Sequence, residues 1–370
     1  MTTTPWYALE TNDNLISPSL LVYPDRIDYN IRSMIAIAGG TDRLRPHIKT
    51  HKMAEVIRMQ MAHGINKFKC ATIAEAQLLG SCEAGEALLA LQPVGPNLRR
   101  FLALIAAYPK TAYATILDDA GIATELNALA GDHGVTVPVY LDINAGMDRT
   151  GIRPGSGAME LYRLLTSLPH LRVMGFHVYD GHIRDTGLQE RTASCEAAFA
   201  PVWELKKALE KQGMQVEEII AGGSPSFPVH ARKEGVDTSP GTTLLWDQRY
   251  GSSFPDMDFL PAAVLFSRII SKPGNGLLCL DLGHKAIAPE MPFPRVHLLG
   301  MEDCAQLSQS EEHLVLRCPH PEKYRVGDAC YALPMHVCPT VAKYPLVHTV
   351  KGGAVTGSWE VAARDHRMTI

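Results

Sequence analysis

Between about residue 44 and residue 246, short apolar runs alternate with amphipathic helical stretches, and this alternation constrains the fold more than any other feature. The candidate strands are LRPHIK (44–49), KFKCAT (67–72), ALLALQ (87–92), TAYATIL (111–117), VPVYLDI (137–143), RVMGFHVY (172–179), EEIIAGG (217–223) and TSPGTTLLW (238–246). Between them, stretches such as TIAEAQLLGSCEAG (72–85) and AMELYRLLTSL (158–168) carry apolar residues at helical spacing. Eight strand–helix repeats in this length predict an α/β fold, a (β/α)8 TIM barrel whose site lies at the C-terminal ends of its strands. A doubly wound sheet shows the same alternation, but no G-x-G-x-x-G follows an early strand here.

After about residue 255 the helical periodicity fades. Short β-type runs take over, among them AAVLFSRIIS (262–271), GLLCLDLG (276–283), RVHLLGM (295–301), HLVLRCP (313–319) and ACYALPMHVC (329–338). The expected division is a barrel over 20–255 and a C-terminal β domain over 256–370 joined by residues 1–19. The leader SLLVYPDRI (19–27) is expected to lend that domain a strand.

Composition removes several classes of function. With 35 Lys and Arg against 39 Asp and Glu the net charge is −4, and no basic stripe exists, so a nucleic-acid partner is not expected. No apolar run reaches the length of a membrane span, and the N-terminus lacks the basic and apolar regions of a signal peptide. Eight cysteines without C-x-x-C spacing read as reduced thiols in a cytoplasmic protein.

Six stretches carry chemistry. In RPHIKTHK, a first barrel strand would turn His47, Lys49 and His51 to one face. An amine inside a barrel is pushed towards its neutral form, which Schiff-base chemistry with a carbonyl cofactor requires. After the seventh strand, AGGSPS offers Gly222, Gly223 and Ser224, and SPGTT offers Ser239, Gly241 and Thr242 at the eighth. Glycines admit close backbone approach to a phosphate, and barrels often bind one at these two loops. LDINAGMDRTG brings Arg149, a permanently charged fork for an oxyanion, or else a partner of Asp142 or Asp148. GFHVYDGHIRD brings His177 and His182 as proton carriers and Tyr179 as a surface for a flat ring. Finally, in LPMHVCPT, a strand would point His336 and Cys338 the same way, about 6.6 Å apart, and that N/S pair suits zinc.

RPHIKTHK, GGSPS, SPGTT and HVCPT together resemble the D-threonine aldolase and D-serine dehydratase group, enzymes of the alanine-racemase-like fold. The resemblance runs from roughly residue 20 to 350 and implies pyridoxal 5'-phosphate (PLP) and a divalent metal, zinc or manganese, with magnesium as a further option. It implies that Lys49, not Lys52, bonds the cofactor, that Arg149 contacts its phenolic oxygen, and that Tyr179 faces its ring. It also implies that Gly222, Gly223, Ser224, Gly241 and Thr242 hold the phosphate and that His336 and Cys338 hold the metal. Racemases of this fold carry arginine where this chain has Ser239, which leaves the ring nitrogen without an assigned partner.

The resemblance implies a lyase acting on a small-molecule β-hydroxy-D-amino acid. The first expectation is retro-aldol cleavage to glycine and an aldehyde. The alternative is dehydration of D-serine or 3-hydroxy-D-aspartate to a 2-oxo acid and ammonia, and a racemase is more distant, since it needs no metal pair. His47, His51, His177 and Lys49 are the candidate bases, unranked. A homodimer is expected.

Overall fold

The computed structural model describes residues 5–367. In chain order it begins with strand β1 (Ser19–Val22) and helices α1 (Pro24–Ala38) and α2 (Ala54–Ala62). Six strand–helix pairs follow: β2 (Lys67–Cys70), α3 (Ile73–Ser81), β3 (Glu86–Leu89), α4 (Pro96–Ala107), β4 (Ala112–Leu117), α5 (Ala120–Asp132), β5 (Val137–Ile143), α6 (Ser156–Ser167), β6 (Leu171–Val178), α7 (Leu188–Glu210), β7 (Glu218–Ala221) and α8 (Phe227–His230). Next come β8 (Val236–Thr238), α9 (Gln248–Ser253), β9 (Ala263–Gly274), β10 (Leu277–Leu280), β11 (Val296–Leu299), β12 (Ala305–Gln309) and β13 (Leu314–Arg317). The last elements are β14 (Ala329–Pro334), α10 (Val337–Val341), β15 (Leu346–Lys351) and β16 (Ala354–Glu360).

The chain divides into two compact units. The first comprises Met34–Lys49, Ile57–Gly241 and the residues from Asp365 onward. Its parallel sheet runs β2 to β8 in sequence order, and strands such as β5 are buried along nearly their whole length, as helix-covered parallel strands are. Residues 44–49 were expected to be the first of eight staves, and they are not a strand. Leu44 bridges Thr238 and His47 bridges Lys69, so this segment joins the two edge strands through isolated pairs. Pro46 has no N–H to extend the ladder, and Ile48–Thr50 winds into a 3-10 turn. The barrel is closed by seven strands and this linking segment.

Alternation along the strands sorts the barrel's interior into levels. At the N-terminal ends, buried Arg45 meets Glu86 at 2.8 Å and Glu218 at 3.4 Å, and the Tyr140 hydroxyl donates to Glu218 at 2.6 Å. Above them Leu88, Ala114, Ile116, Tyr140 and Ile220 form an apolar cluster. At the C-terminal ends stand Lys69, Asp142 and His177, where Asp142 and His177 are register partners on β5 and β6. Helix α3 begins on a side-chain cap: Thr72 accepts the Glu75 N–H at 3.1 Å, and Glu75 reaches back to the Ala71 N–H.

The second unit comprises the residues up to Ser33, Thr50–Val56 and Thr242–Arg364. Its nine-stranded sheet centres on β9, which pairs antiparallel with β1, β10 and β14. The leader does supply a strand, since β1 also pairs parallel with β15. Leu21, Tyr23, Val264, Phe266, Tyr331 and Leu333 fill one core cluster. Asn30 ties α1 to this unit by donating to the Leu244 and Leu260 carbonyls and accepting the Leu260 N–H.

Two strand expectations fail locally. The run 238–246 is a strand only through Thr238, after which Pro240 and Gly241 turn the chain and Thr242–Leu244 is a 3-10 turn. The run 329–338 leaves the sheet at Pro334. His336 is then the N-cap of α10 and Cys338 lies in its first turn, so the pair is not on a strand. No helix of the described residues is long and apolar enough to cross a membrane.

Candidate active site

At the C-terminal ends of the barrel strands, three cations gather on one aromatic ring. Lys49 Nζ lies 5.5 Å from the Tyr179 ring centroid, Lys69 Nζ 5.6 Å and the Arg149 guanidinium carbon 4.8 Å. Lys49 is half-buried on its 3-10 turn and Arg149 is exposed. Tyr179 can come this close to the chain after β7 because Gly223 has no side chain; a Cβ there would stand 3.0 Å from the ring. Lysine, arginine and a tyrosine face are thus presented together, as a ring-shaped aldehyde cofactor needs.

The two glycine loops meet. The Gly241 N–H donates to Ser224 Oγ at 3.1 Å, which ties the two loops together. Gly222 takes a φ of +77°, and a Cβ on it would collide with His230 and Ser226. Behind the first loop, buried Asp180 accepts from Ser226 Oγ at 2.7 Å and pairs with His230 Nε2 at 2.6 Å, while Ser226 Oγ accepts the Gly223 N–H. Burial opposes ionisation of Asp180, but His230 and Ser226 outweigh it and hold the carboxyl below its usual range. Ser239 is buried, and its Oγ has no hydrogen-bond partner among the described residues. A buried hydroxyl left open is costly, so this position fits a polar atom of a bound group. These residues fit PLP. Thr242, expected to help hold the phosphate, has its hydroxyl 3.6 Å from Cys338 Sγ.

The candidate bases separate. His47 Nδ1 accepts the Lys49 backbone N–H at 3.2 Å. His51 is fully buried, accepts the Met53 N–H, and has its pKa pushed down to about 3 by burial and by Lys52. An imidazole so weakly basic serves the fold rather than proton transfer at neutral pH. His177 is different. Its Nδ1 is 2.7 Å from Asp142 Oδ1, and its Nε2 is 3.4 Å from Lys69 Nζ.

In the second unit, His336 Nδ1 lies 2.6 Å from Glu290 Oε1, and its side chain also hydrogen-bonds the Cys338 thiol. The Cys338 sulfur is 3.2 Å from Thr50 Oγ1. Burial works against a charged His336, but the thiol and Glu290 prevail and lift its pKa to about 9. Asp247 braces the turn between the two donors by accepting the Val337 N–H at 3.1 Å. Imidazole and thiol in contact, with a carboxylate on the far ring nitrogen, form a donor set that fits a borderline-soft divalent ion such as zinc.

Sequence reasoning passed over Lys69, Asp180, His230, Asp247 and Glu290. Lys69 carried a usable signal: in KFKC, alternation sends both lysines to one face of a barrel strand. The others act through contacts between distant segments and leave no local pattern.

Comparison with known proteins fits this geometry. The family model for the N-terminal domain of alanine racemase matches residues 22–246, more than half of the chain. The chain belongs to that family. A second family model, a putative serine dehydratase domain, matches residues 262–350. Within the family, the chain is 25% identical over 355 residues to D-threonine aldolase of Arthrobacter sp, covering 94% of this chain and 92% of that one. It is 26% identical over 363 residues to 3-hydroxy-D-aspartate aldolase of Paracoccus denitrificans (strain Pd 1222), covering 94% and 92%. It is 22% identical over 381 residues to D-threo-3-hydroxyaspartate dehydratase of Delftia sp. (strain HT23), covering 94% and 97%. Among solved structures, D-threonine aldolase from Filomicrobium marinum superposes with a TM-score of 0.86 at 26% identity, covering 94% of this chain and 95% of that one.

Proposed function

We propose that this protein is a PLP- and divalent-metal-dependent lyase that cleaves β-hydroxy-D-amino acids by a retro-aldol reaction, giving glycine and an aldehyde. The observation that carries this reading is the approach of Lys49 Nζ and the Arg149 guanidinium to the ring of Tyr179 at the C-terminal ends of the barrel strands. The aldolase names of relatives in Arthrobacter and Paracoccus support it.

In this reading Lys49 would supply the amine for the cofactor aldehyde, and Tyr179 would support the ring. Arg149 would contact the phenolic oxygen of the bound cofactor, and Ser239, whose buried hydroxyl has no partner among the described residues, would face its ring nitrogen. Gly222, Gly223, Ser224, Gly241 and Thr242 surround the phosphate. When bound, PLP supplies an electron sink for the broken Cα–Cβ bond. His336 and Cys338 would hold a divalent ion, zinc or manganese, which would supply Lewis acidity for the substrate hydroxyl. His47 and His51 are set aside as bases in this reading, because the Nδ1 lone pair of each accepts a backbone N–H. The proposed functional division assigns the cofactor to residues 20–255 and the metal ligands to 256–370 with 1–19. The working form is proposed to be a cytoplasmic homodimer.

A second reading, dehydration to a 2-oxo acid and ammonia, is favoured by the thiol among the metal donors, since a His–Cys pair resembles the zinc dehydratase pattern. The deciding experiment gives D-threonine and D-serine to metal-loaded holoenzyme. Glycine with acetaldehyde is the expected product; 2-oxobutyrate or pyruvate as the main product would install the dehydratase reading. Borohydride treatment should fix the cofactor on Lys49, and failure to label that residue removes both readings.

A further inference from the structure

We propose that Lys69 is a second functional amine of this site, a proton-holding residue whose proton passes to His177 and is supported there by Asp142. The proposal rests on the reading of Lys49 as the cofactor lysine.

Lys69 is 2% exposed, and His177 and Asp142 are each 3% exposed. Among the described residues no carboxylate lies within ion-pair distance of the Lys69 amine; its hydrogen-bond partner is His177 Nε2 at 3.4 Å. A buried lysine with only a structural role is normally paired with a carboxylate or replaced by an apolar side chain. This one instead points at the ring that Lys49 also approaches, with both amines within 5.6 Å of the Tyr179 centroid.

The order of groups defines a direction for the proton. Asp142 is held ionised: burial alone would raise its pKa, but the His177 contact and nearby Lys69 bring it below the usual range. Its Oδ1, 2.7 Å away, therefore accepts Nδ1–H, and this tautomer leaves the Nε2 lone pair facing Lys69. Transfer breaks one Nζ–H bond of the ammonium and forms Nε2–H; the positive charge moves to an imidazolium beside a carboxylate. The amine left behind is neutral and can accept the proton that a β-hydroxy-D-amino acid must lose.

The charged groups around Lys69 tune this exchange. Burial, Lys49 and Arg149 disfavour its ammonium form, Asp180 and Asp142 favour it, and the balance brings its pKa down to about 7. His177 is likewise lowered by burial, Lys69 and Arg149 against the pull of Asp142. An exchange partner poised near neutrality is what general acid–base work needs.

The test uses PLP- and metal-loaded Lys69→Met and Lys69→Arg with 15N-histidine labelling. In Lys69→Met, removal of the adjacent ammonium should raise the His177 titration midpoint by about one unit or more. Turnover should fall about 100-fold or more, the acid limb of the kcat/KM profile should disappear, and borohydride labelling of Lys49 should stay complete. Lys69→Arg keeps the charge and the bulk but cannot release its proton, so it should be as slow as Lys69→Met. Should Lys69→Met fold poorly, Lys69→Arg alone decides the matter. An arginine variant with half of wild-type turnover or more, or a His177 titration that does not move, overturns the proposal. Absent Lys49 labelling in the wild type would instead strike the reading on which it rests.

Discussion

Glu290 Oε1 takes up Nδ1 of His336 at 2.6 Å, while the same imidazole hydrogen-bonds the Cys338 thiol. A carboxylate behind a ligating imidazole fixes its tautomer and raises its donor strength. Glu290→Gln should therefore weaken metal binding by about 10- to 100-fold without unfolding the chain, since both side chains are substantially exposed. Competition against a chromophoric chelator reads this directly. Unchanged affinity would mean that Glu290 is only a surface partner.

In the proposed reading, Cys338 would set the kind of metal. Its sulfur sits among the hydroxyls of Thr50 and Thr242 and the imidazole of His336. Cys338→Ala should lose bound metal and lyase turnover together. Cys338→Asp exchanges a soft donor for a hard one, so preference should shift from zinc towards manganese or magnesium. Metal content after dialysis against equimolar mixtures is the measurement. Full metal content and turnover in the alanine variant would remove the proposed ligand.

The pair of Asp180 and His230 is sealed from solvent and supports the glycine loop through Ser226. Asp180→Ala leaves a buried imidazole and a buried hydroxyl without their acceptor. A loss of about 3 kcal/mol in unfolding free energy is expected, with weaker PLP retention because Gly223 and Ser226 lose their anchor. Urea unfolding and cofactor titration separate the two effects. Retention equal to wild type would show that the loop holds its shape without Asp180.

Much of this was readable in the linear chain, and the misses have specific causes. The barrel was legible because parallel strands such as VPVYLDI are buried on both faces and helices such as α6 keep an apolar stripe. Residues 44–49 looked like a strand by composition, but one proline removes the donor that a two-sided ladder needs. MHVC alternated like a strand too. It folds as a helix start because Asp247, far away in sequence, captures the Val337 N–H and Thr340 donates back to the His336 carbonyl. The hairpin of β15 and β16 was not read from the sequence, although its turn falls at Gly352 and Gly353, both at positive φ. Lys67 and Lys69 share a face, yet one reaches Asp237 and the other is entombed; only the strand's position in the closed barrel decides that.

Lys69 also makes a prediction about stability that is independent of turnover. Its pKa in the folded chain is about 7, below the value near 10.4 of an unfolded lysine. The unfolded chain therefore binds more protons between these limits, and unfolding free energy rises with pH across that window. As pH falls from about 10 to 7 this contribution is lost, and below the folded value the cost of the buried ammonium is constant. Lys69→Met has no such group. Relative to wild type it should gain stability as pH falls through that window, by an amount on the order of a few kcal/mol, and then keep a constant difference. Thermal unfolding of both proteins at several pH values tests the sign, and a difference that stays flat across the window would show that Lys69 keeps its proton in the folded state.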